Sequence, residues 1–162
     1  SEMCIRDRLL PEHKDLILNR FYKYVAELSD LDRTIKQDIN QLSSEQRMLI
    51  TAHDAFGYFG RAYNIEVVGL QGISTLAEVS TEDIQRVAQL VVERRIPTVF
   101  VESSVHPRYI KSLQQAVKAL GHHVTIGSEL YTDALGDKKS SAGTYVGMIR
   151  HNVSSIVTGL QL

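Results

Sequence analysis

The sequence contains a single cysteine, Cys4, among its 162 residues. A lone thiol closes no internal disulfide and builds no zinc–thiolate motif, and it leaves the compartment open. An excess of one charge is also missing. The formal net charge is -1, so no whole-chain field draws the protein to nucleic acid or to an anionic membrane. The densest basic pair, Arg94 and Arg95, reads as a helix end, and no aromatic-plus-arginine stripe accompanies it. No run approaches the roughly 20 apolar residues a membrane helix needs. Ser103 and Ser104 lack a G-x-S-x-G elbow, and Gly57 and Gly60 belong to no Walker or dinucleotide fingerprint. Nucleophilic catalysis and phosphate cradling therefore have little support. The opening residues 1–8 lack the apolar stretch of a signal peptide and have no helical or strand period. They are expected to be a leader foreign to the natural gene, and the remainder a fragment of a longer protein.

Apolar residues make up 43% of the chain and charged residues 23%, which is ordinary globular usage and enough for one domain with a hydrophobic core. Leu16, Phe21, Tyr24, Leu28, Leu31, Ile35, Ile39 and Leu42 recur mostly at spacings of three and four. This predicts one long helix over 12–39, with Pro11 tolerated in its first turn. Such a helix would span about 40 Å at 1.5 Å per residue, a length suited to a spine between two lobes as well as to plain packing. After Leu42, strands and helices alternate. Strands are predicted at 48–51, 65–68, 98–101 and 122–126. Helices are predicted from Asp54 to about Ala62, from Ser80 to near Arg95, from Pro107 to Gly121, and from Thr144 to Leu160. Alternation at this spacing implies βαβ units, hence an α/β fold with a four-stranded, mainly parallel sheet flanked by helices. The expected organisation is a leader at 1–8, a long linker helix at 9–43 and an α/β lobe at 44–162.

Open parallel sheets bind ligands beyond the carboxyl ends of their strands. His53 follows the first predicted strand, Glu102 the third, and Glu129 and Asp133 the fourth. An imidazole with one or two carboxylates at one rim suits a divalent transition metal such as zinc, manganese or iron. Each residue also has a plainer reading. His53 beside Asp54 is consistent with a helix start, Glu102 with a cap or a partner for Arg108, and Asp133 with an ordinary turn residue. His122 and His123 are strand neighbours that point to opposite faces. His106 is explained by Pro107. His151 is expected on the surface of the last helix, and His13 lies at the start of the chain.

Several segments together resemble one known family. They are Thr51-Ala52-His53-Asp54-Ala55-Phe56-Gly57-Tyr58-Phe59 with Tyr63, Val99-Phe100-Val101-Glu102-Ser103-Ser104-Val105, Glu129-Leu130-Tyr131-Thr132-Asp133-Ala134-Leu135-Gly136, Gly143-Thr144-Tyr145-Val146-Gly147-Met148, and His151-Asn152. In order and spacing they are similar to the metal-binding solute-binding proteins of manganese/zinc ABC importers, across residues 12–162. The resemblance implies two α/β lobes joined by a rigid long helix, with the metal held between them by four side chains. Carried over by motif, this lobe supplies His53 and Asp133, and Glu102 supports a ligand without touching the ion. The other two ligands are histidines of an N-terminal lobe that this chain lacks.

The resemblance further implies capture of manganese, zinc or iron as transported ligand, with no organic cofactor. Delivery would be to an ABC importer permease, from the periplasm or, for a lipoprotein, from the outer face of the cytoplasmic membrane. It implies a full-length monomer that is not an enzyme and binds no nucleic acid. The alternatives are a metal-dependent hydrolase using His53, Glu102 and Asp133 with an open position for water, and a surface adhesin as a secondary role.

Overall fold

The structure is a computed structural model that describes residues 9–72 and 79–161. The expected leader at 1–8 lies outside the described residues. The chain divides into two units, Ser1–Thr34 and Ile35–Leu162, and the boundary falls inside the long helix α1, Lys14–Ile39.

The described part of the first unit is a short 3-10 turn, Pro11–His13, followed by the opening turns of α1. The predicted helix is therefore present, and Pro11 sits where its missing N–H costs nothing. Its apolar stripe is not covered in this region. Leu16, Phe21, Tyr24 and Val25 are all exposed.

In the second unit, the end of α1 buries Ile35 and Ile39, and Leu42 follows them into the core. Four strands and four helices come next. The elements are β1 (Met48–His53), α2 (Gly57–Tyr63), β2 (Glu66–Gln71), α3 (Thr81–Glu93), β3 (Thr98–Val99), α4 (Arg108–Ala119), β4 (Thr125–Ile126) and α5 (Tyr145–Leu160). β1 pairs in parallel with β2, running from Met48 opposite Glu66 to His53 opposite Gln71. β3 pairs in parallel with β4. The expected single sheet is thus built as two parallel ladders, connected where Phe100 N–H donates to Ile50 O at 2.8 Å.

Every residue of β1 is buried, as expected for a strand covered on both faces. Met48, Ile50 and Ala52 share one face and pack with Val87 and Val91 of α3 and Ile110, Leu113 and Val117 of α4. The alternate residues, Leu49, Thr51 and His53, are turned the other way by the two-residue period of a strand. On the β3 side, α5 lies against the strand and buries Val153, Ile156 and Leu160. Losing a buried aliphatic such as Ile50 costs about 2–5 kcal/mol when it is cut to alanine.

Several boundaries differ from the sequence reading; β1 runs on to His53, and β2 covers Glu66–Gln71 rather than 65–68. The helix expected from Asp54 starts only at Gly57, with Phe56 before it and no side-chain cap. Asp54 N–H is already taken by Gln71 O at 3.1 Å, which extends the β1–β2 ladder. β3 and β4 are two residues long instead of four and five. α3 begins as expected, with Ser80 Oγ accepting Asp83 N–H at 3.1 Å. Gly121, with φ +81°, takes the left-handed position after α4 that a side chain would disfavour.

Candidate metal centre

His53 closes β1, and its orientation is over-determined. Its backbone N–H donates to Glu102 Oε1 at 3.0 Å, and its ring Nδ1 lies 2.9 Å from the same oxygen. The other carboxylate oxygen, Oε2, accepts Ala52 N–H at 2.9 Å. Thr51 Oγ1 donates to His53 O at 2.8 Å. Gly69, opposite on β2, comes so close that a Cβ there would lie 2.7 Å from Asp54 N and 2.9 Å from His53 C. Any larger residue would push the end of β1 away.

Glu102 is fully buried. Burial pushes its carboxyl above the ordinary range, and the N–H groups and ring of His53 and the N–H of Ala52 pull against that. Three converging donors are what a buried acid needs to be tolerated. With a carboxyl on Nδ1, that nitrogen is assigned as the N–H donor, which leaves the lone pair of Nε2 pointing the other way.

Nε2 faces Asp133. The distance from Nε2 to Asp133 Oδ2 is 3.8 Å, too long for a hydrogen bond. Two donors each about 2.1 Å from one ion stand roughly 3–3.5 Å apart, so a small shift of one carboxylate would let both reach the same cation. The two side chains differ sharply in setting. The His53 side chain is 4% exposed and that of Asp133 is 65% exposed. One donor is fixed in the protein and the other stands at the rim.

The plainer readings of His53 and Glu102 do not describe this arrangement, whereas Asp133 does lie in an exposed bend. Glu102 neither caps α4 nor pairs with Arg108, whose guanidinium lies over the Tyr109 ring. Glu102 also cannot join Nε2 and Asp133 as a third ligand, because it occupies the opposite nitrogen of the ring. Among the described residues no group of three or more His, Cys, Asp or Glu side chains is gathered for a metal. His122 and His123 precede β4, at its amino end, away from the strand ends that carry His53 and Asp133. His106 Nδ1 accepts the N–H of Arg108 at 3.2 Å. Glu129 is exposed and its carbonyl bonds His151 Nε2 at 2.9 Å. His151 is thus partly engaged in holding this loop and is not simply a surface residue.

The sequence reading quoted Asn152, the buried neighbour of His151, only within the family segments and gave it no role. Its side chain bonds the backbone of Tyr131 twice, two residues ahead of Asp133. The available signal was an amide among apolar neighbours in the last helix.

Residues 7–159 match the family model described as ZnuA, zinc-uptake complex component A, periplasmic. The chain is 46% identical to the zinc-binding protein TroA of Treponema pallidum over 153 residues, covering 94% of this chain and 50% of that protein. It is 41% identical to the manganese-binding lipoprotein MntA of Bacillus subtilis over 154 residues, covering 95% and 50%. The solved structure of the periplasmic zinc-binding protein TroA from Treponema pallidum superposes with a TM-score of 0.93 at 44% identity, covering 98% of this chain and 57% of that one. The chain spans about half the length of the curated relatives it matches.

Proposed function

This chain belongs to the ZnuA family of periplasmic zinc-uptake components, and on that premise we propose that its full-length protein captures a divalent transition metal outside the cytoplasmic membrane and hands it to an ABC importer. Residues 44–162 form its C-terminal lobe and residues 9–43 the linker helix. His53 Nε2 and Asp133 are this lobe's two ligands, and Glu102 holds the imidazole without touching the ion. Two histidines from the other half of the protein complete a four-ligand cage around the cargo.

The observation that carries this reading is the line Glu102–His53–Asp133. A buried carboxyl lies 2.9 Å from one ring nitrogen, and an exposed carboxylate lies 3.8 Å from the other. A ligating histidine usually gives its second nitrogen to such a carboxylate, which fixes the ring and strengthens the donor. The imidazole favours zinc, manganese or iron over calcium and magnesium, which prefer all-oxygen sites. The relatives' names pair this family with both zinc and manganese. A capture role needs no reaction at the metal. The hydrolase alternative required Glu102 as a third ligand, and Glu102 is spent on Nδ1 and two backbone N–H groups.

Competition titrations of the full-length protein with a chromophoric chelator test the reading. His53→Ala and Asp133→Ala should each weaken zinc and manganese binding at least about tenfold. Wild-type affinity in both variants would sink it.

A further inference from the structure

The segment that carries Asp133 is tied down on both edges. Leu130 N–H donates to Val101 O at 2.9 Å, and Ser103 N–H donates to Leu130 O at 2.9 Å. This pairs the segment with the backbone on either side of Glu102. Successive residues of an extended segment point their backbone groups to opposite edges, so the N–H and C=O of Tyr131 face away from that pairing. There they meet a side chain instead of a strand. Asn152 Oδ1 accepts Tyr131 N–H at 2.9 Å, and Asn152 Nδ2 donates to Tyr131 O at 2.7 Å.

An amide side chain offers the same donor and acceptor as a peptide group, and only one orientation of it satisfies both bonds. Asn152 is 3% exposed, on a helix turn whose buried neighbours include Met148, Val153 and Ile156. Beyond Tyr131, among the described residues the tie before Asp133 is the hydroxyl pair Ser104–Thr132, 2.9 Å apart and exposed.

We propose that Asn152 is a positioning residue for the metal: by clamping Tyr131 it sets how far Asp133 stands from His53 Nε2. The inference rests on the reading of His53 and Asp133 as ligands. The His53 side is rigid, so the separation is governed by the Asp133 segment, which α5 holds through buried Asn152 at Tyr131 and, farther from Asp133, through His151 at Glu129 O. Replacing Asn152 by leucine keeps the branched outline and the number of side-chain heavy atoms, leaves both Tyr131 groups without a partner, and lets Asp133 drift.

The test is a double-mutant cycle on the full-length protein, with zinc affinity read by chelator competition at a temperature where every variant is folded by circular dichroism. Asn152→Leu is expected to weaken zinc binding about 10- to 100-fold in the otherwise wild-type protein. In the Asp133→Ala background it should change affinity by no more than about twofold, because the residue it positions is gone. Cobalt(II) supplies a spectroscopic check. The visible band of the Asn152→Leu protein should move toward that of Asp133→Ala.

An equal loss in both backgrounds overturns the proposal, since Asn152 would then act on the fold at large. Wild-type affinity in Asn152→Leu, with His53→Ala and Asp133→Ala still impaired, overturns it and leaves the ligand assignment standing. Wild-type affinity in all three variants overturns both. If Asn152→Leu does not fold, Asn152→Asp replaces it. That variant keeps the acceptor for Tyr131 N–H and loses the donor to Tyr131 O. It should show a smaller loss, again confined to the background that retains Asp133.

Discussion

One oxygen of Glu102 binds both the backbone and the ring of His53: Oε1 lies 3.0 Å from the His53 nitrogen and 2.9 Å from Nδ1. Main chain and side chain are thereby fixed by the same atom, and the ring cannot turn without leaving the oxygen that also anchors the end of β1. This couples the proposed metal donor to the integrity of the sheet. The outward carboxylate, Asp133, has no such coupling.

That asymmetry separates two variants that both remove a proposed ligand. His53→Ala leaves a buried carboxyl short of its ring donor, and an unmet buried acceptor of this kind costs about 1–3 kcal/mol. Asp133→Ala removes an exposed side chain and should change stability by less than about 0.5 kcal/mol. Urea unfolding of the metal-free protein is expected to find the first variant clearly weakened and the second near wild type. Equal stability losses would mean that the burial contrast between the two residues has no energetic weight.

Glu102→Gln tests the support of the ring. Glutamine keeps one acceptor but turns an NH2 toward donors that need an oxygen, so at least one of the N–H groups of Ala52 and His53 or the ring Nδ1 is left unpaired. Zinc affinity of the full-length protein should fall about 10- to 100-fold although no ligand has been changed. Isothermal titration calorimetry reads this directly. An unaltered affinity would assign Glu102 to folding alone.

Much of this was legible in the sequence because strand ends announce themselves. β1 and α3 begin where an apolar run, a helical period and the Ser80 cap placed them, and the rule that ligands gather at carboxyl ends offered His53, Glu102, Glu129 and Asp133, which the family resemblance narrowed to His53 and Asp133. Strand lengths were less legible, since they depend on partners that local propensity does not see. After Gly127 N–H donates to Val99 O the next bond skips to Leu130, whose N–H donates to Val101 O, so the run 98–101 stops pairing in regular register with β4 after Val99. Thr125 starts β4 because Pro97 O, which accepts its N–H at 2.9 Å, begins the partner edge. Asn152 was hidden for the same reason. Its value lies in two bonds to a residue 21 positions away, and nothing local to α5 demands an amide.

Gly69→Ala applies a steric test to the same strand end. The added methyl meets backbone atoms of His53 and Asp54 at under 3 Å, and backbone cannot swing aside as a flexible side chain does. Overpacking of this kind costs about 1–3 kcal/mol. The shift should fall on His53, so the variant is expected to lose metal affinity as well as stability. Chemical denaturation and chelator competition measure the two effects separately, and a loss of stability with wild-type affinity would show that β2 yields instead of β1.

The acid limb of the stability curve offers a test far from the metal. The Asp83 carboxyl is held below its ordinary range of about 4, first by the Ser80 hydroxyl, 2.6 Å away, and then by Arg86. A carboxyl whose folded value is depressed binds fewer protons folded than unfolded, so the stability it adds is present above the unfolded value and is lost as pH falls through the folded one. Ser80→Ala should therefore flatten the decline of stability below about pH 4. It should also cost about 1 kcal/mol at neutral pH through the lost helix cap on Asp83 N–H. Thermal melts between pH 2.5 and 7 follow both effects. A parallel drop at every pH would leave the cap in place and remove the link between Ser80 and the ionisation of Asp83.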